Sequence, residues 1–520
     1  MTWLIVRKEI HANLLSARFA LGLVITVAMM GTVGYVLLQD HVARRQSYIS
    51  DVQRHRRELA ECKVFSRVAV TVDIPPSPLA LFGRPSDEWP TAFTVSPYAV
   101  PSLLAVGGGK GAIGVWGTSS RPENPLLRFF SAIDLAFVVG LVLSLFAGLL
   151  VFDAFSGERE GGTLPLLLSG NAGRGQVLAG KLLGAYLTLA LPLTLGFLVV
   201  LLLWGLSGDV TLDGEVWAGT GVLYAVSLLY LAGFLALGLL LSLCVRDSSA
   251  GLMSFLLLWI LVTVVVPQGG SYLAQRFRSP ASRAQLTADA EQARRRLHEA
   301  QSAIPYQQKC GWWWASTDDT GGHSLLGITE EEVHNRVEYN KKAFPLVFAY
   351  AEEMQRIRES YERRLRAWQQ RRDALLRLSP ARLYRNVVQA TAGAEVASLE
   401  ASLRTAREYR QALMDYLLPR VGRPEWVTRA LEHPEMQPTE ANTRLWRERA
   451  AREGDQVYEE ILDWDRVAPL DLSAMPQPAV RFPGLGERLS HVWLDLLLLV
   501  AVAAGLVGAA GWRVQRYEVR

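Results

Sequence analysis

The chain has 520 residues, half of them hydrophobic and a fifth charged, and its mean hydropathy is +0.15. That balance excludes an ordinary water-soluble enzyme, although the length alone would make about three or four soluble domains. A formal net charge of +4 is small for this length and points to no nucleic-acid partner, and three cysteines are too few for a disulfide scaffold.

The apolar residues gather in six runs of about 18 to 28, long enough to cross a hydrocarbon core of about 30 Å as helices. The expected fold class is an α-helical polytopic membrane protein with six transmembrane helices. Ahead of the first run, Trp3, Val6, Ile10 and Leu14 share one helix face, with Arg7, Lys8, His11 and Arg18 elsewhere. This pattern predicts an amphipathic elbow helix over 1–18, lying in the membrane interface; a basic leader that only sets topology is the alternative. The first span, 19–38, is expected to stay as an anchor, because eighteen residues precede it where a cleavable signal has a brief basic stub.

An insertion over 39–126 follows, with the strand-like Val64 to Val72, a proline-rich stretch from Pro75 to Pro101 and the glycine cluster Gly107 to Gly111. It reads as mixed α/β. The second span covers 129–152, the third 182–206, the fourth 216–243 and the fifth 250–267. A second insertion, 268–491, reads as mainly helical. Met354, Ile357, Tyr361, Leu365 and Trp368 repeat at three and four, and so do Val396, Leu399, Leu403, Ala406, Leu413 and Leu417. Two long helices packed as an antiparallel hairpin are expected. The sixth span, 492–512, is followed by a short tail, 513–520.

Short connections set the orientation. Arg159, Arg174 and Lys181 lie between the second and third spans and Arg246 between the fourth and fifth, whereas 207–215 has no Lys or Arg and holds Asp209, Asp213 and Glu215. Both termini are therefore expected to be cytoplasmic, with the two insertions extracytoplasmic. Arg44, Arg45, Arg54, Arg56 and Arg57, just past the first span, argue the other way.

The segment 153–181 is too long for a simple turn. Glu158 and Glu160 precede Thr163 and the apolar Leu164 to Leu168, which predicts a short helix with a charged, capped start and an apolar face beside the membrane. NPLLRFF at 124–130, the run Glu158 to Leu164, LLLS at 166–169 and Gly180–Lys181 together resemble the permeases of type-2 ATP-binding-cassette (ABC) exporters. PPSPLALFG at 75–83 and LSPARLYRNVVQATAG at 378–393 resemble the outer signatures of a subgroup with large extracytoplasmic insertions.

The resemblance implies a coupling helix at about 156–170 that docks a separate cytosolic ABC ATPase through Glu158, Arg159, Glu160, Thr163, Leu164 and Leu167. It also implies a second permease chain, identical or homologous, and ATP with magnesium held on the ATPase partner. Gly170, Asn171 and Ala172 stand where the family often has a proline or valine, so the geometry after the helix departs from the pattern.

Gly175, Gly180 and Lys181 satisfy GxxxxGK, but Leu182 stands where Ser or Thr would reach magnesium and no buried strand precedes the loop, so no phosphate-binding loop is expected. No catalytic residue, cofactor site or metal site is expected in this chain; His298, Cys310, His323 and His334 lack ligand spacing. Cys62 and Cys310 both fall in outer insertions, where a bridge between them and two separate thiols are both open. Cys244 reads as a small buried residue.

Asp134 and Asp495, near the outer ends of the second and sixth spans, read either as interfacial side chains reaching water or as lining of an exit path. Ala504 with Gly508 and Gly505 with Ala509 would let another helix approach the sixth span, from within the subunit or from a second one. Trp312 to Trp314 would be buried in the outer domain or touch the membrane or a partner. The expected function is an ABC transporter permease in a bacterial inner membrane, with membrane lipids and an extracytoplasmic protein as further contacts. The alternative is a mechanotransmitting subunit that drives such an outer partner and moves no cargo.

Overall fold

The computed structural model of the chain describes residues 2–63, 65–83, 91–98, 133–165, 173–208, 210–270, 283–306, 314–315, 323–324, 330–420, 440–454, 468–478 and 483–516. It is mostly helical, and six of its helices are long and apolar enough to cross a membrane. Helix α1 (Thr2–Leu14) leads through Ser16, whose hydroxyl accepts the Phe19 amide at 3.2 Å, into α2 (Ala17–Ala60). The next four spans are α3 (Leu135–Glu160), α4 (Arg174–Ser207), α5 (Gly214–Cys244) and α6 (Ser248–Gly270), and the sixth is Trp493–Gln515.

Small residues bring the spans together. A methyl at Gly148 of α3 would overlap the Phe255 ring of α6, one at Gly196 of α4 would meet Met30, and one at Gly238 of α5 would meet Val151. Two stretches are wound as π-helix, Val138–Leu143 in α3 and Leu261–Val265 in α6. Side chains take up carbonyls in both. The Gly140 carbonyl accepts the Tyr230 hydroxyl at 2.8 Å and that of Ser144 at 2.6 Å, and the Val262 carbonyl accepts Ser379 at 2.6 Å.

Outside the bundle, β1 (Val70–Asp73) pairs antiparallel with β2 (Ala92–Val95), Val70 opposite Val95. The strand starts later than the Val64–Val72 run suggests, because Phe65–Arg67 form a 3-10 turn. Helix α7 (Arg283–Ser302) and the long α8 (Glu330–Leu376) follow, with the short ladder β3 (Trp314–Ala315) and β4 (His323–Ser324) between them. Then come α9 (Pro380–Ala392), α10 (Val396–Leu417), α11 (Glu440–Glu453) and α12 (Leu485–His491), which leads into the sixth span, α13 (Trp493–Gln515).

The expected hairpin of the 354–368 and 396–417 stripes is only part of the packing. The intimate partner of α8 is α7, which sets Ala290, Ala293 and Leu297 against Tyr350 and Met354 and pairs Arg296 with Glu353 at 2.8 Å. Alanines bring the two backbones close, and so polar a helix sends little hydropathy signal. Helix α10 runs antiparallel to the later part of α8 through longer side chains, Arg366 to Glu400 at 2.6 Å and Arg407 to Glu359 at 3.7 Å. The two insertions share a core: Phe65, Val68, Val70 and Val95 pack with Phe348, Leu413, Met414 and Leu417.

Candidate functional site

The α1 end of the bundle carries the segment between α3 and α4. The last turn of α3, Ser156–Glu160, ends at Gly161 and Gly162, and Gly162 takes a φ of +68° that favours glycine. The Glu158 carbonyl closes the turn by accepting the Thr163 amide at 2.9 Å. The polar residues before it reach several other helices. Asp153 accepts Arg18 of α2 at 2.7 Å, and that guanidinium lies 4.9 Å from the Phe152 ring centre. Ser242 of α5 accepts the amides of Phe155 and Ser156 at 3.0 and 3.1 Å. Arg159 donates to the Val245 carbonyl just past α5. Glu160 accepts both the amide and the hydroxyl of Ser248, at 2.7 and 2.9 Å, placing a negative charge on the positive end of α6.

The centre of this arrangement is Lys181. Its ammonium, on a side chain 3% exposed, donates to Glu9 of α1 at 2.8 Å and to Glu158 at 3.0 Å; Lys8 adds a longer pair to Glu158 at 3.8 Å. Glycines let α1 lie this close. A methyl at Gly180 would stand 2.7 Å from Ile5, and one at Gly184 2.7 Å from Glu9. The residues of the GxxxxGK pattern are thus helical from Arg174, and its lysine is spent on two carboxylates.

Glu158 and Glu160 do not cap a helix starting at Thr163, as their spacing suggests. The diglycine turn separates them from it; Glu158 points back to Lys181, and Glu160, on the exposed surface, reaches to the start of α6. Glu158 and Arg159 are half-buried struts, while Glu160 to Thr163 and Pro165 form the exposed surface; Leu164 is buried in the bundle core. Leu167, like Gly170 to Ala172, lies outside the described residues. On α1, Val6 is buried, whereas Trp3, Leu4 and Leu15 are exposed, so Val6 and Trp3 do not share a lipid face. Glu9, Ser242 and Ser248 carry no motif that marks them in the sequence; a lone acid in an otherwise basic segment is the one signal for Glu9.

At the opposite end, the stretches 75–83 and 378–393 meet. Phe82 stacks on Phe197 with ring centres 5.1 Å apart, its carbonyl accepts the Ala136 amide, and a methyl at Gly83 would stand 3.0 Å from Val388 of α9. Tyr384 of α9 stacks on Tyr230 at 4.6 Å and shares a hydrogen bond with Ser227 at 2.9 Å. Asp134 and Asp495 are both buried, so neither reaches water. Asp134 accepts the Phe137 amide at 2.7 Å and faces Arg385 at 3.6 Å. Asp495 accepts Arg377 twice, at 2.9 and 3.2 Å, and Asn386 at 3.3 Å. Arg488 pairs with Glu215, and His491 with Glu395 at 3.3 Å. Burial pushes the Glu395 carboxyl above its ordinary range, against the lowering effect of His491.

Three remaining features have definite places. Cys62 packs on the outer core and its carbonyl accepts the Leu470 amide at 2.8 Å, while Cys310 lies outside the described residues, as do Trp312 and Trp313. Cys244 is exposed at the end of α5, not buried. In α13, Ala503 faces Gly233 of α5, whereas Ala504, Gly505, Gly508 and Ala509 are exposed among the described residues.

Residues 3–405 match the family described as ABC-2 family transporter protein. Among curated proteins, the chain is similar to the "Probable ABC transporter permease protein NosY" of Stutzerimonas stutzeri, 42% identical over 99 residues, which is 18% of this chain and 33% of that protein. The protein of the same description from Pseudomonas aeruginosa is also 42% identical over 99 residues, 18% of this chain and 34% of its own length. The similarity thus spans about a third of the length of these relatives.

Proposed function

The chain belongs to the ABC-2 family of transporter proteins, and on that premise we propose that it couples ATP hydrolysis on a separate cytosolic ATPase to the movement of its six spans, as one permease half of an exporter. It is a multi-pass, permease-type membrane subunit of an ABC transporter. In our reading both termini and the Glu160–Thr163 surface face the cytoplasm across a bacterial inner membrane. A second permease chain completes the path, and ATP and magnesium reside on the ATPase.

The observation behind this reading is the wiring of one exposed turn. Through Asp153, Ser242, Glu158 and Glu160 it is tied to α2, α5, α1, α4 and α6 at once, so a push on that turn is delivered to four other spans together. A photo-crosslinker at Thr163 in native membranes is expected to capture an ATPase with a nucleotide-binding fold. Capture of such a protein only from positions on the opposite face, or of none, would sink the assignment.

A second reading has its own support. The pinning of α9 and of Arg377 just before it to the far ends of α3 and α13 and to the middle of α5 links the spans to a large outer body, which suits a machine that moves an outer protein and transports nothing. ATP-dependent cargo movement in vesicles favours the exporter; ATPase activity that needs an outer protein, with no cargo moved, favours the alternative.

A further inference from the structure

We propose that the joint between α8 and α9, residues 371–379, is sunk into the leaflet opposite α1 and binds its phospholipids, Leu375 and Leu378 against acyl chains and Arg371 and Arg372 at headgroup phosphates. The inference rests on α6 being a membrane span and is independent of the direction of transport. Depth is set by Ser379, whose hydroxyl donates to the Val262 carbonyl at 2.6 Å. Val262 lies five residues before Pro267, where the apolar run of α6 ends, so the joint sits about 8 Å below that end at the helical rise. A methyl at Gly270 would meet Leu376, which is buried, so the joint lies directly along α6.

The side chains beside these anchors point the other way. Leu378, next to Ser379, is 79% exposed at the level where Leu261, Val264 and Val265 of α6 are also open, and Leu375, next to Leu376 near the end of α6, is 53% exposed. An exposed leucine at this depth is solvated by hydrocarbon. One to two turns earlier along α8, Arg371 is exposed, and Arg372 is partly exposed, 5.6 Å from the Trp368 ring centre. Five residues of helix put Arg371 about 8 Å beyond Leu376 along α8, from where its long side chain reaches back to the phosphates. A tryptophan and arginines above a leucine pair is the order of groups that a phospholipid presents to a protein. Arg377 and Arg385 are engaged by Asp495 and Asp134, so they stay out of this site, and Arg372 shares its charge with the adjacent Asp373, which it meets at 2.9 and 3.0 Å, leaving Arg371 as the main headgroup cation.

The test uses the full chain with Cys62, Cys244 and Cys310 replaced by serine and bimane on Leu378→Cys, or on Leu375→Cys should the first variant fold poorly. It is reconstituted in phosphatidylcholine vesicles with and without brominated acyl chains. The label is expected to lose fluorescence to bromine as a label on Val264→Cys does, while one on Arg363→Cys in α8 does not. Quenching by aqueous iodide instead would place the joint in water, and quenching by neither would place it under a second copy; either result overturns the proposal. With phosphatidylglycerol added, Arg371→Gln with Arg372→Gln is expected to lower lipid retained in native mass spectra several-fold, and unchanged retention would overturn the headgroup contact.

Discussion

Lys181 shows how much one side chain can organise here. It opens a membrane helix, yet its charge is enclosed by Glu9 and Glu158 and never reaches solvent. Removing one partner from a buried pair leaves the other charges uncompensated, at a cost of about 3–5 kcal/mol. In Lys181→Met the two carboxylates would face each other, so the detergent-solubilised chain is expected to melt at a clearly lower temperature. Adding Glu9→Gln and Glu158→Gln is expected to recover part of that loss; an unchanged Tm for the single variant would show the triad to be incidental. Only the border position of Lys181 was legible in the sequence, because its partners lie 172 and 23 residues away.

Among the elements, α9 is the one whose role is least visible in one dimension. Leu383, Tyr384, Val387, Val388 and Thr391 all fall on one helix face and are all buried, so an amphipathic helix could be foreseen. What it packs on could not, since six membrane helices compete for that face. The pin just before it makes a double-substitution cycle informative. Arg377→Gln should leave Asp495 buried with only Asn386 and destabilise the chain by about 3–5 kcal/mol, and adding Asp495→Asn should be milder than the first change alone. Additive losses in thermal melts would mean that the pair is not coupled.

The Glu395 corner predicts a pH response. Its carboxyl is raised in the folded chain, chiefly by burial, so the folded state holds that proton more tightly than the unfolded one. This contribution favours the folded state at acid pH and is lost as pH rises above the ordinary carboxyl value through the raised one. Glu395→Gln should therefore flatten the fall in Tm over that window, and an unaltered slope would rule the carboxyl out as its source.

For the molecule as a whole, hydropathy was enough to find six spans, because a hydrocarbon core demands long apolar helices and tolerates little else. It was blind to the π-wound stretches, whose residues are ordinary apolar ones, and to the pairing of the two insertions, whose shared core joins Val70 and Val95 to Leu413 and Leu417 across more than three hundred residues. The turn after α3 stood out in the sequence by its motif and length, but its struts did not, because each crosses to a helix distant in the chain. Helix α2 bears directly on motion. Its 44 residues form an unbroken rod of about 66 Å, of which about 30 Å spans the hydrocarbon, with Arg18 held by Asp153 near one end and His55 bonded to Asp73 of the sheet near the other. Tilting such a rod by about 5° about its base sweeps its tip by about 6 Å. The first span is thus geared: small angles at the α1 end become displacements of whole side-chain widths under the β1–β2 sheet.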